Sequence, residues 1–330
     1  MGVGALFIVA IGENPIDAYA ALFRGAFDGE LRLGTTLAGF TPLLLTSIAF
    51  AVAAKAGAFN VGVEGEVFLG GITAAYIGIN WTFLPKPALY VACFVGAMVV
   101  AAAWAFIPAV LRAYYNVNEV CTTILMNTVA LYITSYLVSG PMSAGTANAQ
   151  SLPVTVRLYQ FMKPSSVNVG IFIAAITVIV IIFMLQKSSW GYKIRTVGLN
   201  PTHADYVGID SKKVFVGAMM LSGMLGGMAG CIEVLGVHGY FLNNFATGLG
   251  SNGMLAALIV KNNMVSTPFM AFFLAVLKSG AMGMQQSTGV PKSLVDTITA
   301  VFIIIATMET AFQFTKKRKK KTEEKKEDKA

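Results

Sequence analysis

Charge is scarce in this sequence. Asp, Glu, Lys and Arg make up 12% of its 330 residues, while 56% are hydrophobic. Soluble domains run near a quarter charged, so about half of the expected charge is missing. With a mean hydropathy of +0.69, a water-facing globule is excluded. Cysteine is sparse too: Cys93, Cys121 and Cys231 each lie in an apolar run, and none has metal-ligand spacing. With only His203 and His238 beside them, neither a disulfide framework nor a Cys/His zinc site organises the chain. The dipeptide Gly-Lys occurs nowhere, which removes the phosphate loop whose lysine must reach a nucleotide's β/γ-phosphates. H-E-x-x-H and G-x-S-x-G are absent as well. The chain therefore has no nucleotide-hydrolysing site of its own, no metal site and no nucleophile–base constellation of an embedded enzyme.

The net charge of +8 is concentrated at one end. Residues 316–330 hold nine Lys/Arg and four Asp/Glu, a balance of +5, which leaves +3 for the other 315 residues. A basic run after a membrane segment reads as an anchor on the anionic cytoplasmic leaflet, not as a nucleic-acid surface. The chain thus divides into a membrane domain, residues 1–315, and a basic, disordered cytoplasmic tail, residues 316–330.

The gaps between charges mark the spans. About 20 apolar residues cross roughly 30 Å of hydrocarbon. Uncharged runs of 22, 25, 23 and 19 residues separate Arg32 from Lys55, Lys86 from Arg112, Lys163 from Lys187, and Lys213 from Glu233. Residues 120–156 contain one more span, followed by a polar loop over Gly140–Pro153. Further apolar stretches fall at about 60–78, 246–260, 264–284 and 295–315. Barrel strands would alternate over about ten residues, and these segments do not. In lipid the backbone must be satisfied within each segment, so the expected fold is all-α, a polytopic bundle of about 8–10 spans.

Met1–Ile11 is apolar but too short to cross, lacks the basic start of a signal peptide, and reads either as the distal part of a first span, which is favoured, or as a short helix packed on the bundle. If the tail is cytoplasmic, counting back puts Lys55, Arg112, the loop 187–213 and Lys261 on its side. That side then carries eight Lys/Arg before the tail, against six opposite, in the direction of the positive-inside rule. Pro15–Phe27, with Ile16, Tyr19, Ala20, Phe23 and Phe27 at helical spacing, is expected to lie along the outer interface.

Polar residues within this apolar chain are the candidates for function. Asn60-Val-Gly-Val-Glu-Gly-Glu sets Asn60, Glu64 and Glu66 among two glycines at the edge of a span. Ionisable groups there face either a bundle interior or the interface, and two readings stay open: a solute pathway, or carboxylates solvated beside Lys55. Asn118, Glu119 and Asn127 form another patch, and Gln285, Gln286, Gly289 and Pro291 another. Gly223, Gly226, Gly227 and Gly230 make two overlapping small-xxx-small pairs, suited to close helix packing, with Glu233 one turn on. Asn60, Glu64, Asn127, Glu233 and Asn252 are the candidate pathway residues. In the loop 187–213, Asn200-Pro201 is a cap-and-first-turn signature and Gly208 a stop. That predicts a short exposed helix, which serves either as a docking element or as a connector.

The stretches ENPIDAYAALFRGAF (13–27), FNVGVEGEVFLG (59–70), NEVCTTILMNTVA (118–130), GYKIRTVGLNPTHADYVGI (191–209), SGMLGGMAGCIEVLG (222–236) and MQQSTGVPKSL (284–294) follow one another through nearly the whole chain. In that order they resemble the permeases of the branched-chain amino acid/ribose ABC importer superfamily, and most of all its nucleoside (simple sugar) permeases. The opening ENPIDAYAALF and the GLNP wording resemble the longer of the two permeases such systems pair. Glu66 in place of glutamine and Lys261 in place of arginine depart from the pattern. The resemblance implies a type II-like importer permease in the cell membrane, translocating nucleosides or related ribose-type solutes. It further implies a second homologous permease, a cytoplasmic ABC ATPase that uses the ATP, and an extracellular lipid-anchored substrate-binding protein. Arg195, Gly198, Asn200, Asp205 and Gly208 would then belong to the ATPase coupling loop. The competing class is a secondary transporter of a small polar solute, driven by an ion gradient through Glu64, Glu66 and Glu233.

Overall fold

The computed structural model describes residues 14–288 apart from residue 147, together with residue 297. The expected first-span segment, the stretch 295–315 apart from residue 297, Gly289, Pro291 and the basic tail lie outside the described residues. Among the described residues the α-helices follow in order: α1 Pro15–Phe27, α2 Gly29–Lys55, α3 Val63–Asn80, α4 Lys86–Tyr115, α5 Glu119–Ser139, α6 Gly170–Lys187, α7 Ser189–Leu199, α8 Pro201–Tyr206, α9 Ser211–Ile232, α10 Leu249–Ile259 and α11 Thr267–Thr288. Among the described residues there is no extended strand, only isolated bridges such as Ser143–Ser151 and Gln160–Asn168 in the loop after α5. Among the described residues, six helices are long and apolar enough to cross a bilayer: α2, α4, α5, α6, α9 with its continuation to His238, and α11 to Gln286. The stretch expected to span at 246–260 is instead an eleven-residue helix, α10, about 16 Å long and too short to cross.

The chain forms two compact units. In the first, α1 packs on the second half of α11 through Ala18 and Leu22 against Ala281 and Met284. Small residues permit that approach: a Cβ on Gly25 would lie 2.7 Å from the Gly283 Cα. Ile16 and Phe23, which the sequence placed on the apolar face of α1, are exposed, while Ala18, Leu22 and Ala26 are buried. The helix thus has two apolar sides, one packed on protein by its small residues and one carrying the large side chains that lipid solvates.

In the second unit, residues 27–276, burial separates centre from rim. The apolar window of α2 is 78% buried and that of α9 67%, against 17% for α5 and 28% for α6. α2 and α9 are therefore the core, and α5 and α6 present Leu125, Tyr132, Tyr136, Ile176, Ile179 and Phe183 outwards. An exposed apolar rim around a buried centre is what a lipid solvent selects. The glycines of α9 set the spacing. Cβ atoms on Gly223 and Gly227 would sit 2.7 Å and 2.5 Å from the Ala101 and Ala97 carbonyl oxygens of α4. One on Gly226 would lie 2.9 Å from Glu66 Cβ, and one on Gly230 would overlap the Val67 carbonyl oxygen, both on α3. The two overlapping small-xxx-small pairs thus serve two different neighbours.

Helix ends sort into two groups. Gly198 lies against the C-terminal end of α2, Arg195 reaches the end of α6, and Lys212 sits 5.3 Å over the Tyr114 ring at the end of α4. Lys55, Arg112 and the loop 187–213 consequently share one end. At the other end the Tyr90 hydroxyl donates to the Arg157 carbonyl (2.6 Å), and Arg157 donates to the His238 carbonyl.

Candidate functional site

The site is assembled where α3 begins inside the bundle. After α2 ends at Lys55, residues 56–62 turn back, guided by Gly57 at φ +80°, and place Asn60 against Ser222. Ser222 lies eleven residues into α9, about 16 Å from its start, so α3 starts beside the interior of a bilayer-length helix and not at its end. This disposes of the reading in which both carboxylates are solvated at the interface beside Lys55. Glu66 is 1% exposed, and among the described residues neither carboxylate pairs with Lys55.

Each polar group here has a specific job. Asn60 Nδ2 donates to Glu66 Oε1 (2.8 Å) and Ser222 Oγ (2.9 Å), while its Oδ1 accepts from Gly62 N (2.9 Å). That uses both sides of the amide and locks the turn onto α9. Glu66 Oε2 has no hydrogen-bond partner and faces Gly226. Glu64 points the other way. Its Oε1 accepts from Gly248 N (3.0 Å) and its Oε2 from Ser251 Oγ (3.1 Å). It thereby places a carboxylate at the N-terminus of α10, where unpaired N–H groups and the helix dipole favour negative charge. Gly248, in the left-handed region at φ +81°, makes that sharp entry possible. Asn127, two turns into α5, accepts from Gly65 N (2.8 Å) and donates to the Val61 carbonyl (2.9 Å), so it clamps the exposed backbone at the start of α3.

The structure therefore brings together Asn60, Glu64 and Asn127, and adds Glu66, Ser222 and Ser251. Asn252, half-buried one residue after Ser251, borders the group. Glu233 belongs to a second node. There the α9 helix widens into a π-turn, Glu233–His238, with the Glu233 carboxylate 3.7 Å from His238 Nε2. π-turns inside helices concentrate at functional sites. Phe245 packs edge-on against His238 (5.8 Å), Phe68 (5.7 Å) and Phe241 (5.2 Å), and over Gly71 of α3. Two polar nodes with an aromatic group beside the upper one thus lie along α3. Phe245 and Phe68 were missed by a reading that scanned for polar residues; phenylalanine in an apolar chain gives no contrast. Ser251 was missed for the opposite reason, since a lone serine is unremarkable until Glu64 reaches it. Asn118 and Glu119, read as part of the Asn127 patch, do other work: Asn118 caps α5 and Glu119 pairs with Arg112 at 3.1 Å.

The loop 187–213 is more built than the sequence shows. Asn200 Oδ1 accepts from His203 N (3.0 Å) to cap α8, and Gly208 ends that turn at φ +82°. Ahead of it, α7 is capped by Ser188 Oγ (3.0 Å to Gly191 N). Arg195 Nη1 donates to the Leu185 carbonyl (2.6 Å) at the end of α6. A Cβ on Gly198 would overlap the Lys55 carbonyl oxygen. Asp205 accepts from Ser211 N (3.0 Å) and Ser211 Oγ (2.9 Å) at the start of α9. The backbone N–H of Lys213 holds the neighbouring Asp210 carboxyl below the usual carboxylate range. Arg195, Gly198 and Asp205 brace the loop against the ends of α6, α2 and α9, although Gly198 and Asp205 stay exposed. The large apolar side chains the loop exposes include Leu199 (88% exposed), Tyr206 (86%), Tyr192 and Val207, which the sequence did not single out.

Six bilayer-length helices among the described residues, and a glycine-spaced core with polar residues inside the second unit, define a multi-pass membrane protein. The family described as branched-chain amino acid transport system/permease component matches residues 32–307, and the chain belongs to it. A guanosine ABC transporter permease of Bacillus subtilis is 32% identical, covering 97% of this chain and 94% of the relative. A nucleoside ABC transporter permease of Lactococcus lactis is 31% identical over 91% of this chain and 86% of its own length. A glucose ABC transporter permease of Haloferax volcanii is 32% identical over 92% and 83%. No solved structure matches. The chain is thus a transport component, a membrane permease.

Proposed function

We propose that this chain is the translocating subunit of an ATP-driven importer whose solutes are nucleosides or related ribose-type sugars. The observation that carries the reading is the agreement of full-length relatives: guanosine, nucleosides and glucose share a hydroxyl-bearing ring. Interior amides and carboxylates at Asn60, Glu64, Asn127, Glu233 and Asn252 match that chemistry, and the aromatic group at Phe245 matches a base. ATP is used by a cytoplasmic ABC ATPase seated on Leu199, Tyr206 and Val207. A second, homologous permease completes the pathway, and an extracellular lipid-anchored binding protein delivers the solute. The end carrying Lys55, Arg112 and the loop 187–213 is cytoplasmic, and the basic tail 316–330 lies on the same side. Driving force from the ATPase leaves the carboxylates free of any obligation to titrate.

The test is uptake into vesicles holding this permease with its partner subunits and internal ATP. Labelled guanosine or uridine should accumulate, and the chain alone should accumulate neither. Glu64→Gln and Glu233→Gln should change rate or preference without creating a sodium or proton requirement. Uptake by the chain alone, or uptake that collapses with the ion gradient at constant ATP, would establish the gradient-driven alternative instead.

A further inference from the structure

On the rim of the second unit, away from both polar nodes, α4 and α6 leave a groove of about 480 Å³. Tyr90, Phe94 and Val95 of α4 line it on one side, Val169 and Ile173 on the other, with Leu158 closing the end. Its volume falls in the range of small-molecule sites, about 300–1,000 Å³, yet its walls are almost wholly apolar. It lies where α4 and α6 begin, beside the loop after α5, and therefore at the boundary between hydrocarbon and headgroups.

There the groove meets a second hollow of about 150 Å³, which shares Leu158 and Tyr159 and is otherwise lined by Arg157, Gln160 and Lys163. Two of these are pinned to backbone. Arg157 donates to the His238 carbonyl, and Gln160 Nε2 donates to the Gly236 carbonyl at 2.8 Å. Among the described residues no carboxylate pairs with Arg157 or Lys163; the ion pairs formed are Arg112–Glu119, Lys213–Asp210 and His238–Glu233. Both cations are exposed. Tyr90 and Tyr159 stand at the same level, as aromatic rings do at a membrane interface.

We propose that the two hollows form one site for an anionic phospholipid, its acyl chain in the groove and its phosphate between Arg157 and Lys163. The charge pattern chooses among lipids. A phosphatidylglycerol headgroup presents a phosphate to two unpaired cations. A phosphatidylcholine headgroup adds a quaternary ammonium, for which the hollow has no carboxylate. Each cation near the membrane surface is worth about fivefold in affinity for anionic lipid.

The experiment uses the full chain in nanodiscs with brominated acyl chains as quenchers. A tryptophan is placed in the groove by Phe94→Trp, and the signal is the difference from the parent chain. Brominated phosphatidylglycerol should quench this reporter more than tenfold more efficiently than brominated phosphatidylcholine at equal mole fraction. Lys163→Gln should reduce the preference about fivefold, and molar salt, with a screening length of about 3 Å, should remove it. Val91→Trp, at the exposed rim of the same groove, carries the same measurement if Phe94→Trp does not yield folded protein. Equal quenching by the two lipids, or an unchanged preference in Lys163→Gln, overturns the proposal. So does the absence of quenching by either lipid once the chain is assembled with its partner subunits, which would mean that protein covers the groove.

Discussion

Replacing Gly227 by alanine adds one methyl group at a crossing of three helices. The new Cβ would stand 2.5 Å from the Ala97 carbonyl oxygen and 2.6 Å from Ala101 Cβ, both on α4, while Gly70 of α3 already presses on the other side of Gly227. Ordinary contact begins at 3.4 Å, so α4 must retreat by about 0.9 Å. A radial gap of 0.5–1 Å forfeits roughly a quarter to a half of each lost contact, and overpacking typically costs about 1–3 kcal/mol. Backbone atoms cannot swing aside, which places this site at the upper end. Against that, alanine gains about 1 kcal/mol of helix propensity over glycine. The net is a loss of about 2 kcal/mol, or about 4–8 °C in apparent melting temperature at roughly 2–4 °C per kcal/mol. Thermal aggregation of the detergent-solubilised chain, read by size exclusion, measures it. Gly39→Ala is the control: it is also helical, but its Cβ would meet nothing within 4 Å, so it should melt at or above the parent temperature. Equal melting of Gly227→Ala and the parent, or equal loss in both variants, would refute the claim that backbone proximity, and not glycine content, sets the spacing of α9.

Asn127→Leu should cost about 1–3 kcal/mol, because it strips the Gly65 N–H and the Val61 carbonyl of their partner where water is scarce; melting in detergent reads this. Arg195→Met removes a charge-assisted bond to the end of α6 worth about 1.5–3 kcal/mol when fully formed, and less here because the side chain is partly exposed. Faster proteolysis within 187–213 is the expected sign, and an unchanged digestion pattern argues against a brace. Tyr206→Asp combined with Leu199→Asp should leave melting within about 0.5 kcal/mol of the parent. The same pair should weaken ATPase co-purification by about 30-fold or more if these side chains anchor that interface; normal complex yield would remove them from it.

The sequence made the solvent and the helices legible because charge gaps and apolar length are one-dimensional quantities. Asn200-Pro201 and Gly208 could be read for the same reason: caps and stops are local chemistry. What the sequence hid was depth. Glu64 and Glu66 sit next to a span edge in the chain, and the reversal over residues 56–62 carries them into the bundle, Glu66 to Asn60 beside Ser222 and Glu64 to the start of α10. The length of α10 was also hidden, since an apolar run of 15 residues does not announce that eleven of them form a short helix capped from α3. In the loop, the caps were legible but the contacts through space were not. Arg195, Gly198 and Asp205 carry recognisable chemistry and are spent on contacts with neighbouring helix ends, whereas the strongly exposed Leu199 and Tyr206 look ordinary in the chain. Partnering through space, as with Asn127 and the start of α3, has no linear signature at all.

The bracing of the loop 187–213 also has a mechanical consequence. It is fastened at three points to three different helix ends: Arg195 to α6, Gly198 against α2, and Asp205 to α9. Two of these, α2 and α9, are the most deeply buried spans of the second unit, and α6 is among the most exposed. If an ATPase docks on Leu199 and Tyr206 as proposed, its push meets these fastenings and not the slack of a free connector. It arrives as a torque shared between the axle of the unit and its outer wall, and the stiffness of the three fastenings decides how much work reaches the interior.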